Sequence, residues 1–162
     1  MHNLKWLLLS AVVVALDLWT KALASEHLAM HEPVPIFPGF NLTLMHNKGA
    51  AFSFLSSAGG WQRWFFTIIA IVVSVVIVGW LARLKPGQRW LALALALILG
   101  GALGNLWDRL TLGYVVDFIQ VYYQKWYWPA FNIADSAITV GAVMLVLDSL
   151  FGRHGERREG HE

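Results

Sequence analysis

The chain has 162 residues, of which 57% are hydrophobic and 14% charged, with a formal net charge of +2. A chain this apolar at this length belongs with membrane-embedded proteins rather than soluble domains. It has no cysteine, which excludes disulfide frameworks, thiol nucleophiles and thiolate metal sites, and its basic residues sit at segment ends and in the tail, which argues against nucleic acid.

Four apolar stretches are long enough to cross a bilayer, given that about 20 residues span the hydrocarbon core. The first, about 4–24, carries Asp17 and Lys21 four residues apart, a spacing that puts both on one helix face and allows an ion pair. That pair either neutralises itself at the outer end of the helix or shapes a substrate groove. Lys5, the apolar run to Leu16 and Ala22-Leu23-Ala24 imitate a cleavable signal peptide, but Asp17 and Lys21 interrupt it, so an uncleaved helix is expected. In the segment 25–60, Pro33, Pro35, Pro38 and Gly39 punctuate the chain, and Phe40-Asn41-Leu42-Thr43-Leu44 alternates as a strand does. Asn47-Lys48-Gly49-Ala50-Ala51-Phe52 follows, with an ordinary turn signal inside it. Ser53, Ser56 and Ser57 lack the context of a serine nucleophile.

The second stretch, 63–83, has no charge between Arg63 and Arg83. The third, 90–110, holds Gly100, Gly101 and Gly104, which permit close helix approach, and then Asn105, Asp108 and Arg109 on one face. Arg109 is either an interfacial anchor partnered by Asp108 or a donor to a substrate carbonyl. Residues 111–129 are β-branched and aromatic from Tyr114 to Tyr123, with Trp126, Tyr127 and Trp128 beyond, a composition suited to the membrane surface. The fourth stretch, 130–150, begins with Asn132, Asp135 and Ser136, with Thr139 one turn further in. Residues 153–162 are charged and expected to be a disordered tail, leaving one domain over 1–152.

Lys5, the turn with Arg83, Lys85 and Arg89, and the tail with Arg153, Arg157 and Arg158 predict that both termini face the cytoplasm. The segments 25–60 and 111–129 then lie outside, so Asp117 and Asp135 converge at one membrane face. A carboxylate at membrane depth costs roughly 3 kcal/mol, which makes both acids functional candidates. Two neighbouring carboxyls can share a proton and activate water for hydrolysis. Asp135 alone reads as a helix N-terminal charge, but that leaves Asp117 and the asparagines unexplained. A proton-coupled transporter needs acids at successive depths, and the uncharged second stretch offers none. A lipid or peptide binder needs no acid pair. A cytoplasmic dyad of the prepilin-peptidase kind conflicts with the basic flanks.

The strings Asn47–Phe52, Gly100-Gly101-Ala102-Leu103-Gly104-Asn105-Leu106-Trp107-Asp108-Arg109, Val116-Asp117-Phe118 and Phe131-Asn132-Ile133-Ala134-Asp135, together with Asp17 and Lys21, resemble bacterial lipoprotein signal peptidase (signal peptidase II) over about residues 4–150. The resemblance implies an all-α membrane protein of four transmembrane helices with a small extracytoplasmic β-cradle, in the bacterial inner membrane. It implies an aspartyl endopeptidase without metal or cofactor. Its substrates would be diacylglyceryl-modified prolipoproteins, cleaved just before the lipidated cysteine, and its inhibitors of the globomycin type. Asp117 and Asp135 would be the catalytic dyad, with Asn47, Asn105, Arg109 and Asn132 lining the site and Asp17 and Lys21 supporting it. Whether Asp108 belongs to the site stays open.

Overall fold

A computed structural model describes residues 5–49 and 60–151. Ala50-Ala51-Phe52, the three serines and the tail from 153 lie outside the described residues. Among the described residues four helices form, α1 (Trp6–His27), α2 (Trp61–Arg83), α3 (Arg89–Thr111) and α4 (Ile133–Phe151), each long and apolar enough to cross a membrane. Four strands make one antiparallel sheet in the order β1 (Val34–Phe37), β2 (Phe40–Asn47), β3 (Val115–Tyr123) and β4 (Trp126–Tyr127). The expected all-α membrane architecture with a small sheet is therefore what the chain adopts.

The elements differ from the sequence expectation mainly at their edges. β2 runs on to Asn47 because Met45, His46 and Asn47 pair with Asp117, Val116 and Val115. β1 forms in a segment whose prolines read as turns; Pro35 is tolerated because this strand is at the sheet edge. α4 starts at Ile133 rather than 130, since Phe131 is held in an extended bridge to Ile119.

α3 is the central helix, packed against α1, α2 and α4. The close approach read from its glycines is present. A Cβ on Gly100 would meet Val13 of α1, one on Gly101 would meet the Ala134 carbonyl and Ile138 of α4, and one on Gly104 would meet the Asp17 carboxylate. One end of the bundle is filled by Ile77, Leu81, Leu84, Ala92, Leu95 and Leu99. At the other end the sheet closes over α1, with Leu44, Val116 and Phe118 packed on Ala24. The outward faces, including Val12, Leu16, Ile68, Val75 and Val143, are apolar and exposed, as expected of surfaces that meet lipid.

Gly101→Val tests the tightest of these contacts. The added side chain forces α3 and α4 apart, at a cost of about 1–3 kcal/mol. A lower midpoint of thermal unfolding in detergent is expected, and a midpoint equal to wild type would show that the α3–α4 seam tolerates a side chain there.

Candidate active site

The start of α4 carries the first acid. Asn132 precedes the helix and its side-chain oxygen accepts the Asp135 N–H at 2.8 Å, while the Asp135 Oδ2 accepts the Asn132 N–H at 3.3 Å. This is a reciprocal capping box, which satisfies two amides that a helix start leaves unpaired. Asp135 thus does serve the helix start, as the simpler reading held, yet only one of its oxygens is used there. The other, Oδ1, accepts the Asn105 side-chain N–H at 2.7 Å.

β3 carries the second acid. Val116 and Phe118 point into the core, so alternation turns Asp117 to the opposite face, toward Asn132 just ahead of α4. Its Oδ1 accepts from Asn132 Nδ2 at 2.8 Å and its Oδ2 from Asn47 Nδ2 at 3.0 Å. Asn47 is aimed by a local turn, its own oxygen accepting the Gly49 N–H at 2.9 Å. Gly49 sits at φ +98°, and a Cβ there would press on the Phe66 ring, so a glycine is required twice over. Asn132 therefore touches both acids, and the electrostatic field of Asp135 reaches Asp117.

The two acids are not equivalent. Asp117 is 2% exposed, whereas Asp135 is half-buried. Burial, followed by the negative charge of Asp135, pushes the Asp117 carboxyl up to about 7, against the opposing pull of Asn47, Lys21 and Asn132. Asp117 is thus a proton carrier near neutral pH, beside an acid that the outside can reach.

Asn105 and Arg109 come from the last turns of α3. Arg109 lies over the Phe66 ring of α2, 5.4 Å from its centre, and its charge acts on both Asp135 and Asp117. It does not pair with Asp108. That neighbour points the other way, to Lys21 at 3.0 Å and to the Val116 N–H at 3.0 Å, and so anchors β3. Asp17 and Lys21 form the expected ion pair, 2.6 Å apart, but at 0% and 3% exposure they lie behind the site instead of lining it.

In the sequence Arg63 marks only the edge of the second apolar stretch. It donates from Nε to the Arg109 carbonyl at 2.7 Å and from Nη2 to the Leu110 carbonyl at 3.1 Å, capping the end of α3. Antiparallel neighbours place the start of α2 beside the end of α3, so a cation near that start was the available signal. An apolar cleft of about 400 Å³ opens between the end of α1 and the core face of the sheet, with Leu23, Leu28, Leu42 and Phe118 in its wall.

A family model described as Signal peptidase (SPase) II matches residues 9–151. A lipoprotein signal peptidase of Acinetobacter baumannii is 61% identical over 150 residues, covering 93% of this chain and 85% of that protein. One from Pseudomonas aeruginosa is 59% identical over 148 residues, covering 90% and 88%. A solved structure described as a bacterial membrane enzyme superposes with a TM-score of 0.83 at 28% identity, covering 98% of this chain and 94% of the other.

Two outcomes follow from this geometry. A folded-state carboxyl raised to about 7 binds a proton that the unfolded chain, near 3.8, has released. Stability contributed by Asp117 is therefore whole below about pH 4 and is lost as pH rises through 7. Thermal midpoints of wild type should fall relative to Asp117→Asn across that window and run parallel above it; parallel curves throughout would refute the shift. Arg63→Met removes two hydrogen bonds from the α3 terminus and should cost about 1–3 kcal/mol, read as a lower thermal midpoint with a raised KM, because Arg109 loses its backbone support.

Proposed function

Because this chain belongs to the signal peptidase II family of bacterial membrane aspartic peptidases, which process lipoprotein signal peptides, we propose that Asp117 and Asp135 are its catalytic dyad. The observation that carries the proposal is the asymmetric pair bridged by Asn132, one acid buried and proton-holding, the other half-buried.

Asp135, on the open side, takes a proton from water, whose oxygen attacks the scissile carbonyl carbon. Asp117 gives its proton to the carbonyl oxygen, so a tetrahedral diol forms without a free oxyanion. Asp135 then passes its proton to the leaving nitrogen while Asp117 recovers one from the diol. The C–N bond breaks, leaving a carboxyl on the signal peptide and an amine on the lipidated residue. Both acids return to their starting states, and no metal is called for in this cycle.

Asn47, Asn105 and Asn132 hold the carboxyls, and Arg109 is the cation best placed to take a backbone carbonyl of the substrate. The bond cleaved is the one before the diacylglyceryl-modified cysteine of a prolipoprotein. Its acyl chains keep that cysteine at the bilayer surface, each buried CH₂ contributing about 0.8 kcal/mol. The apolar cleft beside α1 supports this substrate class, since it offers hydrocarbon a place on the far side of β3 from Asp117. Lys5 at the start of α1 and the basic turn between α2 and α3 support cytoplasmic termini. The sheet with exposed Trp126, Tyr127 and Trp128 then rests on the outer face of the inner membrane. Globomycin-type peptides are expected to occupy the same site.

Purified diacylglyceryl-modified prolipoprotein provides the test. Wild type should cleave before the cysteine, while folded Asp117→Asn and Asp135→Asn should lose at least about 10³-fold in rate. Wild-type activity should also fall above about pH 7 as Asp117 loses its proton. Near-wild-type cleavage by either variant would end the dyad assignment.

A further inference from the structure

Asp117 rides on β3 and Asp135 on α4, and their backbones are joined by Phe131, whose carbonyl accepts the Phe118 and Ile119 N–H groups at 3.0 and 2.9 Å and whose N–H donates to the Ile119 carbonyl at 2.9 Å. That bridge stops short of both acids, and a second set of contacts behind them centres on one cation. The Lys21 ammonium, 3% exposed, has three oxygen neighbours: Asp17 at 2.6 Å, Asn105 Oδ1 at 2.9 Å and Asp108 at 3.0 Å. An ammonium has three protons to donate and no lone pair, so this set is complete.

Each neighbour leads to the dyad. Asp17 accepts the Ala134 N–H at 2.8 Å, one residue before Asp135. Asp108 accepts the Val116 N–H at 3.0 Å, one residue before Asp117. Asn105, with its oxygen turned to the ammonium, has its NH₂ left for Asp135 at 2.7 Å. The same oxygen accepts at 3.1 Å from Asn132 Nδ2, the group that also donates to Asp117. Were Asn105 to flip, its oxygen would face the Asp135 carboxylate and its NH₂ would face the ammonium, and both contacts would be repulsive.

We propose that Lys21 is the positioning residue of the dyad: one ammonium ties down the backbone beside each acid, and it sets the direction in which the asparagine amides present their N–H groups. It is buried behind Asn105, so it acts on the dyad through the groups it orients. This inference rests on the dyad assignment, and it adds a role for a cation that no substrate contact requires.

The test uses the full chain in detergent with the lipid-modified substrate. Lys21→Met alone strands two buried carboxylates, so the decisive variant is Asp17→Asn/Lys21→Met/Asp108→Asn. It keeps an oxygen for the Ala134 and Val116 N–H groups and leaves no unpaired charge. Per folded molecule, kcat should drop about a hundredfold with KM within about twofold of wild type, the signature of misplaced reacting groups rather than lost binding. A purely structural role would lower the amount of folded protein and leave kcat in place, and that result would overturn the proposal. Should the triple variant not fold, Asp17→Asn and Asp108→Asn are made separately, each keeping one carboxylate for Lys21 while loosening its hold on one of the two amides; kcat should fall at near-constant KM, and wild-type kcat in both would equally overturn the proposal. Failure here is separable from failure of the dyad. If Asp117→Asn and Asp135→Asn are inactive while the Lys21 variant works normally, only this inference falls.

Discussion

An ammonium group inside an apolar helix bundle is the constraint on which the rest of this structure depends. A charge removed from water at such a site is tolerated only when each of its donors has an acceptor. Lys21 meets that condition with two carboxylates and one amide, drawn from α1 and α3. To bring them together the two helices must approach closely, which is why Gly100 and Gly104 face α1 at Val13 and Asp17. The same cluster then reaches outward to the backbone of α4 and β3 through Asp17 and Asp108. Packing, charge pairing and the placement of the acids are consequently one problem with one solution.

Within that frame two identical side chains acquire different chemistry from their surroundings alone. Asp117, on an inner strand of the sheet and buried beside Asn47 and Asn132, feels desolvation and the neighbouring negative charge, and its carboxyl is pushed up to about 7. Asp135 sits at a helix start, half-buried, with one oxygen committed to the cap and the other to Asn105. Environments that separate the behaviour of paired carboxyls are how acid and base roles are assigned at neutral pH. Asn132 enforces the pairing because its oxygen and its NH₂ act in opposite directions, one toward the Asp135 backbone and the other toward the Asp117 carboxylate.

The sequence made some of this plain and concealed the rest for identifiable reasons. Apolar length revealed the four helices, and i, i+4 spacing revealed the Asp17–Lys21 pair, because both are local properties of a helix. The shared face of Asn105, Asp108 and Arg109 was legible too, but not their division of labour. A face formed at spacings of three and four covers an arc, and here its edges meet different partners: Asp108 turns to Lys21 and Arg109 to Phe66. The Asp108–Arg109 partnership, one of the two readings of Arg109, does not form, since adjacent helical residues point apart. The burial of Asp17 and Lys21 depends on how tightly α1 meets α3, and that is a tertiary fact that spacing does not encode. Arg63 escaped notice for a related reason. Its partners are backbone carbonyls, which have no sequence signature, on a helix more than 40 residues away.

The bilayer explains why all these polar groups crowd one end of the bundle. A peptide bond can be hydrolysed only when its N–H and C=O leave regular hydrogen bonding and become accessible to water, and within hydrocarbon such exposed groups cost several kcal/mol each. A protease acting on a membrane-held chain must therefore meet it where protein supplies substitutes for water. Asn47 comes from β2, Asn105 and Arg109 from the end of α3, and Asn132 from the start of α4, so every donor lies where a helix ends or begins or where the sheet covers the bundle. Helix middles, with their backbone groups paired internally, can offer none of this. The opposite end of the bundle is accordingly filled by leucine, isoleucine and alanine. Placing the carboxyls on a helix start and a strand rather than in mid-span lets the fold hold two ionisable groups near lipid while each oxygen that is described still finds a donor.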